Sequence, residues 1–303
     1  MMNKDSTDPR DVKMLTEMAA CRDMIEDRLS EMFTEAGTNY AVLVEAIRYS
    51  LLAGGKRIRA IICMKFCEAV GGNIRDAFEA ACAIEMLHTY TLIHDDLPGM
   101  DGDAVRRGMP ANHVEFGEFT AILAGDSLQA AAFETLAGSR LSSEAIVEMV
   151  RVLGSAAGAH GICGGQYLDL SGEGWQLTID EMLELYYMKT AELISAAARL
   201  GVLAGGGSRE QQEAAHAYAK AIGLAFQIRD DVLDCISTEE ELGKPIGSDI
   251  EADKSTFASL LGVEACEKMI RKETQKAVEA IEGKFDSTEF LVWLAHVLAD
   301  RRR

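Results

Sequence analysis

The feature that most constrains the fold is the spacing of the apolar residues, which recur every three or four positions along the chain. Ala221, Leu224, Ala225 and Ile228 form one such series. This period matches the 3.6 residues per turn of an α-helix. Alanine, leucine, methionine and glutamate, all good helix formers, are frequent, and strand signals are weak throughout. The chain is therefore predicted to be mostly or wholly α-helical.

Proline is rare, and its positions predict where helices end. Pro9 lies in a polar amino-terminal stretch, whereas Pro98, Pro110 and Pro245 lie in or beside charged motifs. Proline breaks helix interiors because it lacks a backbone N–H and its ring clashes with the preceding turn. The charged motifs are therefore expected at helix ends and in the loops that follow them.

Composition limits the domain count, the partners and the cellular setting. No long linker divides the chain, so we predict one domain over residues 1–303, with a flexible tail over residues 1–12. The net charge of −19 argues against a nucleic-acid partner. No signal-like segment or membrane-length apolar run is evident, so no membrane partner is expected. Seven scattered cysteines without a CxxC pair favour a reducing, cytoplasmic setting.

One acidic motif lies in the segment GLAFQIRDDVLD, residues 223–234. In a helix, Asp230 and Asp234 are four residues apart and share a face with Gln227. Neighbouring carboxylates repel, and Mg²⁺ would neutralise them while bridging to phosphate oxygens. A solvated acidic helix face explains the pattern equally well, so this motif alone leaves both interpretations open.

The other acidic motif, which comes earlier in the chain, lies in LIHDDLPGMDGDAVRRG, residues 92–108. We call it the first acidic motif and the one in residues 223–234 the second. His88 and Asp95 fall on one helical stripe. Pro98 and the glycine after it would break the helix, so that Asp101 turns back towards Asp95 and Asp96. The motif therefore offers the same metal-binding chemistry with a longer spacer. A buried, hydrogen-bonded role for His88 remains an equal alternative.

Basic residues accompany both acidic motifs. In LLAGGKRIRA, Lys56 and Arg59 would share a helical face with Arg57 turned aside, and the glycines would allow an anion close to the backbone. Arg106 and Arg107 offer planar forks suited to phosphate. The combination suggests a diphosphate substrate held through Mg²⁺. Three further basic residues are, taken singly, typical surface lysines: Lys189, Lys244 and Lys254.

Six segments in order make the chain resemble the trans-isoprenyl diphosphate synthases, the polyprenyl synthetase family. They are GGKRIR, DDLPGMDGDAVRRG, GGQYLDL, KTAELI, GLAFQIRDDVLD and GKPIGSD…KSTF, spanning roughly residues 42–257. The resemblance implies a single-domain, all-α isoprenoid synthase fold whose helices surround a deep central cavity. It also implies a homodimer.

The resemblance also implies a reaction and its residues. Isopentenyl diphosphate would be condensed with dimethylallyl or geranyl diphosphate by ionisation, condensation and elimination. The Mg²⁺ ligands, also catalytic together with Lys189 and Lys244, would be Asp95, Asp96, Asp101, Asp230, Asp231 and Asp234. The allylic diphosphate would contact Arg106, Lys189, Thr190, Gln227, Lys244 and Lys254. Isopentenyl diphosphate would contact Lys56, Arg59, His88 and Arg107.

Tyr90 and Thr91 occupy the family's positions that limit product length. With the two-residue insertion between Asp96 and Asp101, a bulky Tyr90 resembles the bacterial-type farnesyl diphosphate synthases, so a C15 product is expected and C20 is the alternative. In an ideal helix Tyr90 is offset from the Asp95 stripe. Packing against a neighbouring helix is therefore a competing role for its ring.

Two rival functions are less compatible with the residues. A class I terpene cyclase shares the first acidic motif but has a different second metal motif. A non-catalytic, prenyltransferase-like subunit would be expected to lack some of these aspartates or basic residues, and none is missing. The final Arg301–Arg303 have two alternative roles, contact with the rim of the active site or exposure to solvent, and we expect them to be solvated.

Overall fold

The computed structural model describes residues 8–34, 39–172, 174–236 and 256–301. Within these ranges the chain is almost entirely helical, which confirms the predicted all-α class. The exception is a small antiparallel pair in which β1, Val105–Arg106, lies against β2, Met109–Pro110. Strand β1 lies within the segment of the first acidic motif, two residues after Asp103.

The α-helices follow one another in this order: α1, Pro9–Ser30; α2, Ala41–Leu51; α3, Ile58–Ala69; α4, Phe78–Asp95; α5, Asn112–Phe116; α6, Glu118–Ala137; α7, Ser143–Ala157; α8, Ile162–Ser171; α9, Ile179–Tyr186; α10, Glu192–Ala204; α11, Arg209–Ile236; α12, Phe257–Leu261; α13, Val263–Ile281; α14, Glu289–Ala299. A 3₁₀-helix covers Ile74–Ala77 and a π-helix covers Tyr187–Ala191. The two acidic motifs thus fall at the end of α4 and within α11.

The chain divides into two compact units. The N-unit comprises Leu15–Leu153 and Leu200–Gly207, and the C-unit comprises Met1–Met14, Gly154–Arg199 and Ser208–Arg303. The single domain over residues 1–303 stays a prediction. Each acidic motif belongs to its own unit.

In the N-unit, α4 is the central helix. Its residues from Ala80 to Leu87 are all buried, because this stretch is apolar almost all round and such a helix belongs in a core. It packs against α3 and α6. Cys63 and Cys67 on α3 are buried, as expected for small apolar side chains, and burial raises the pKa of Cys67 to about 12.

In the C-unit, α11 packs against α13, α14 and the π-helix. Ile228 and Val232 on α11 share a buried apolar cluster with Met182 on α9. Helix α1 begins at Pro9, so residues 9–12 are helical although the sequence analysis placed them in a flexible tail. Asp11 accepts a hydrogen bond from the indole N–H of Trp293 at 2.9 Å.

One stretch, Ser143–Ser171, is long and apolar enough to cross a bilayer by length and composition, which the sequence analysis did not anticipate. The backbone breaks within it, because α7 ends at Ala157 and α8 begins at Ile162. Part of its most apolar window is buried inside the protein. A core helix meets the same criterion, so this stretch alone does not indicate a membrane span.

Candidate active site

The first acidic motif begins where α4 ends, and the loop after it folds back as predicted. Asp95 is the last residue of α4 and Asp96 is its C-cap. Beyond Pro98, the backbone N–H of Asp101 donates to the carbonyl oxygen of Asp95 at 2.9 Å. The loop therefore returns Asp101 to the end of the helix.

Asp96 is already paired with one of the arginines of the motif. Its carboxylate accepts a hydrogen bond from Arg106 Nε at 2.8 Å and a second from Nη2 of the same guanidinium. Arg106 also contacts Asp103 at 2.9 Å. Burial raises the pKa of Asp96, and Arg106 opposes that rise. Arg106 is thus paired with two carboxylates, those of Asp96 and Asp103, without a substrate.

The carboxylates of this motif fit Mg²⁺ by their chemistry. Mg²⁺ uses one or two carboxylates, keeps several waters and bridges to substrate phosphates. The backbone contact between Asp101 and Asp95 brings two such carboxylate-bearing residues together. Across residues 8–34, 39–172, 174–236 and 256–301, however, no three His, Cys, Asp or Glu side chains are grouped closely enough to hold an ion. This arrangement therefore fits a Mg²⁺ ion whose ligands are a few carboxylates and a bound diphosphate, rather than protein side chains alone.

The three aspartates of the second motif differ in their surroundings. Asp231 is only 3 % exposed. Its carboxylate accepts a hydrogen bond from the Tyr186 hydroxyl, 2.9 Å from both oxygens, and one from the Phe257 N–H at 2.8 Å. Asp230, by contrast, has a side chain that is 39 % exposed and forms an ion pair with Arg301. Asp234 is buried.

The expectation that Arg301 is solvated is wrong. Its side chain is 11 % exposed, and its guanidinium lies 3.8 Å from the centre of the Phe226 ring. Burial lowers the pKa of Arg301 to about 10, so it remains charged near neutrality. Because the pairing with Asp230 depends on residues 71 positions apart, nothing in the local sequence indicated it. Residues 302 and 303 lie outside the described ranges.

Replacing Arg301 with alanine is expected to lower the Mg²⁺ concentration needed for half-saturation by about three- to tenfold, because it removes a cation that competes for Asp230. The measurement is the shift in Tm as Mg²⁺ is added in the presence of inorganic diphosphate. Arg209→Ala, which removes an exposed pair with Glu213, is the matched control. A higher Mg²⁺ requirement in Arg301→Ala would contradict competition.

A cluster of cations in the N-unit surrounds a neutral histidine. Arg59 Nη1 donates to His88 Nε2 at 3.4 Å, so this ring nitrogen is the acceptor. Burial, Arg59 and Arg107 hold the pKa of His88 well below its usual value. Arg59 Nε is buried without a hydrogen-bond partner in the structure, and such an atom suits an incoming anion oxygen.

The glycines of GGKRIR admit a guanidinium to the backbone. A Cβ on Gly55 would lie 3.1 Å from the Arg107 guanidinium, and Arg107 donates to the carbonyl oxygen of Gly54. Helix α3 begins only at Ile58. Lys56 therefore precedes the helix, and the prediction that it shares a helical face with Arg59 is wrong.

Arg57 is turned aside, as predicted, but into a buried ion-pair cluster that was not predicted. It donates to Glu26 at 2.6 Å and to Glu85 at 3.2 Å, and Glu85 also accepts from the N–H of Ala60 at 3.2 Å. Arg57 adopts a left-handed backbone, φ 50°. Glu85, a lone carboxylate in an apolar stretch of α4, was the available signal. The cluster holds the turn that leads into α3.

Lys189 and Thr190 lie on the π-helix of the C-unit, an element frequent at functional sites. Thr190 donates to the Gln227 side chain at 2.9 Å, which brings together two residues predicted for the allylic diphosphate. Lys189 contacts Asp169 at 2.5 Å. Asp169 belongs to the motif GGQYLDL and received no role from the sequence. Lys244 and Lys254 lie outside the described residues.

Tyr90 is buried on α4, with 9 % exposed. Its ring meets the ring of His94 edge-on at 4.9 Å between centroids, and His94 Nε2 lies 3.0 Å from the carbonyl oxygen of Ile122 on α6. The ring thus packs on its own helix, next to α6. Thr91 is buried and donates to the carbonyl oxygen of His88 at 2.8 Å.

The all-α fold, with an acidic motif in each unit, a cation cluster in the N-unit and single cations in the C-unit, is typical of isoprenoid synthases. The polyprenyl synthetase family model matches residues 40–291, and the chain belongs to this family. It is a prenyltransferase that acts as a trans-isoprenyl diphosphate synthase. The resemblance deduced from the six motifs is thereby confirmed at the level of the family.

Two curated relatives and one solved structure show the extent of the similarity. A geranylgeranyl diphosphate synthase of Cyanophora paradoxa is 44 % identical, covering 88 % of this chain and 90 % of the relative. Geranylgeranyl pyrophosphate synthase 7 of Arabidopsis thaliana, chloroplastic, is 47 % identical, covering 85 % and 76 %. The geranyltransferase of Helicobacter pylori, solved with magnesium and isoprenyl diphosphate, has a TM-score of 0.82 and 31 % identity, covering 97 % of this chain and 98 % of that one.

Proposed function

We propose that this prenyltransferase condenses isopentenyl diphosphate with allylic diphosphates and releases geranylgeranyl diphosphate, the C20 product. The observation that carries the product length is the identity of 44 % and 47 % to two geranylgeranyl synthases over most of the chain. The C15 product expected from Tyr90 becomes the second candidate. Cytoplasmic localisation stays a prediction from the sequence.

The C-unit would supply Lys189, Thr190 and Gln227 to the allylic diphosphate, and Arg106 of the N-unit stays assigned to the same substrate. Lys189 and Thr190 lie on one π-helix, and the bond from Thr190 to Gln227 links that helix to α11, which carries Asp230. Bound Mg²⁺ would neutralise charge on the leaving diphosphate. Lys189 adds a positive charge for the same purpose, the usual electrostatic contribution to such a step.

The N-unit would bind isopentenyl diphosphate. Arg59 and Arg107 supply cationic donors, and His88 stays neutral among them because burial and these arginines depress its pKa. Arg59 can direct its buried Nε towards a phosphate oxygen. The family resemblance assigns the final proton transfer to the released diphosphate.

One observation favours the C15 product. Tyr90 is large, buried and five residues before Asp95. A ring at this depth would stop the growing chain early if it faced the substrate. Its edge-on packing against His94 is a structural role that competes with this one. Measuring the length of the product decides between the two roles.

The deciding experiment supplies the purified protein with Mg²⁺, isopentenyl diphosphate and a C5, C10 or C15 allylic diphosphate, and sizes the products by chromatography. We expect C20 from the wild type. Tyr90→Ala is expected to lengthen the product by at least one isoprene unit if Tyr90 is the floor. Tyr40→Ala, at an exposed tyrosine, is the control. A C15 product from the wild type would overturn the C20 assignment. Failure to release diphosphate with any pair of substrates would overturn the assignment as a prenyltransferase.

We also propose that the protein is a homodimer. Phe119, Ile122 and Leu123 form an exposed apolar stripe on α6, and Phe119 is 74 % exposed. Stripes of this kind mark interaction surfaces. Sedimentation equilibrium should give twice the chain mass for the wild type and a monomer for Phe119→Glu, with Val147→Glu on α7 as the control. A monomeric wild type would contradict the proposal.

A further inference from the structure

Asp231 lies in the middle of the second acidic motif, yet its environment differs from that of a ligand exchanging with solvent. It is 3 % exposed. Tyr186 Oη is 2.9 Å from both of its carboxylate oxygens, and the Phe257 N–H donates to Oδ2 at 2.8 Å. An ionised carboxylate accepts about four hydrogen bonds. Two protein donors, the Tyr186 hydroxyl and the Phe257 N–H, contact both oxygens and occupy about half of that capacity.

Asp230 provides the internal comparison, because it is the preceding residue on the same helix. Its side chain is 39 % exposed and forms an ion pair with the guanidinium of Arg301. A Mg²⁺ ion that keeps its waters and bridges to phosphate needs a carboxylate it can reach. Asp230 meets this requirement and Asp231 does not.

The bonds of Asp231 connect elements that carry the allylic site. Tyr186 is the last residue of α9, directly before the π-helix with Lys189 and Thr190. Asp231 lies on α11, which also carries Gln227 and Asp230. The hydrogen bond between Tyr186 and Asp231 therefore joins the start of the π-helix to α11.

Other contacts show that the junction between the π-helix and α11 is close. A Cβ added to Gly223 on α11 would lie 2.6 Å from Ala191 Cβ. Thr190 bonds to Gln227 one helical turn from Asp231. The Tyr186 ring meets the buried Phe257 ring at 5.4 Å, which holds the hydroxyl towards the carboxylate. The junction therefore has little freedom to slide while these bonds are intact.

We propose that Asp231 is a positioning residue rather than a Mg²⁺ ligand. Through Tyr186 it holds the π-helix in register with α11, so that Lys189 and Thr190 stand in a fixed relation to Asp230. The roles of those three residues rest on the proposed function. The division of labour within the motif rests on the hydrogen bonds and burial of Asp231.

The test compares Asp231→Asn, Tyr186→Phe and their double variant with Asp230→Asn. Tyr186→Phe removes only the hydroxyl and keeps the ring against Phe257. One measurement is the Mg²⁺ concentration that half-saturates the Tm shift in the presence of inorganic diphosphate. The others are KM for each diphosphate substrate and kcat.

Asp230→Asn is expected to raise the half-saturating Mg²⁺ concentration at least about tenfold, because a ligand loses its charge. Asp231→Asn and Tyr186→Phe should leave it within about twofold. Both should raise KM for the allylic diphosphate by about three- to tenfold and leave KM for isopentenyl diphosphate unchanged. The double variant should match the more severe single variant, since both remove one interaction.

Two results would overturn the proposal. If Asp231→Asn raises the Mg²⁺ requirement as Asp230→Asn does while Tyr186→Phe has no effect, Asp231 is a ligand. If the variants lower Tm and leave both KM values unchanged, the contact is only structural. Tyr186→Phe carries the KM test if Asp231→Asn does not fold. If the wild type forms no prenyl products, the proposed function is refuted. The half-saturating Mg²⁺ concentrations of the variants, measured with inorganic diphosphate, would still show whether Asp231 is a Mg²⁺ ligand.

Discussion

Asp95→Asn is expected to lower kcat/KM by about 10²–10⁴, the equivalent of several kcal/mol of transition-state stabilisation. Asp95 ends α4 and its carbonyl oxygen accepts a hydrogen bond from the returning Asp101, and we propose its carboxylate as a Mg²⁺ ligand. Asparagine preserves the shape of the side chain and removes its charge. The loss of activity should therefore reflect weaker metal binding rather than lost packing.

Steady-state kinetics at several Mg²⁺ concentrations measures this effect. Part of the loss should be recovered at high Mg²⁺, because a weakened site can still be filled by mass action. The control is Asp180→Asn, at an exposed aspartate in the first turn of α9. Activity within tenfold of the wild type at low Mg²⁺ would contradict a ligand role for Asp95.

Arg57→Met is expected to lower the free energy of unfolding by about 3–5 kcal/mol, because breaking a buried ion pair leaves a charge without its partner. The Arg57 side chain is fully buried, and Glu85, one of its two carboxylate partners, is also buried. The loss would also free the left-handed turn before α3. The effect should therefore extend to the position of Arg59.

Urea unfolding followed by circular dichroism measures this loss. The double variant Arg57→Met/Glu85→Leu should recover part of the stability, because replacing a whole buried pair by apolar residues is often nearly neutral. Arg22→Met, which removes an exposed contact with Asp23, should change stability by less than about 1 kcal/mol. A loss below about 1 kcal/mol in Arg57→Met would show that the pair is not essential.

Predictions that depended on neighbouring residues agree with the structure most closely. The apolar period identified the helices, and Pro98 correctly marked the end of α4 and the return of Asp101. The side-by-side placement of Lys56 and Arg59 failed because Arg57, in a left-handed conformation, delays the start of α3. A helical pattern cannot show where a long-range ion pair stops the helix from extending.

Product length illustrates a different limit. The family resemblance singled out Tyr90 as a short-chain determinant, while the overall similarity to two geranylgeranyl synthases favours a longer product. The ring lies against His94, whose own ring contacts the backbone of α6. A bulky residue limits product length only if its neighbours in the tertiary structure direct it towards the substrate. The position of the residue in the sequence does not show which residues those neighbours are.

The sequence by itself determined the all-α class, the positions of the acidic and basic motifs and the family, because helix periodicity and motif spacing are properties of residues close together in the chain. Only the tertiary structure decided which partner each charge has. Asp231 pairs with Tyr186 from 45 positions away, and Arg301 reaches Asp230 across the length of α12–α14. These pairings arise from packing between helices that are distant in the sequence. They place Asp230, Asp231 and Asp234, which are close in the sequence, in different chemical environments.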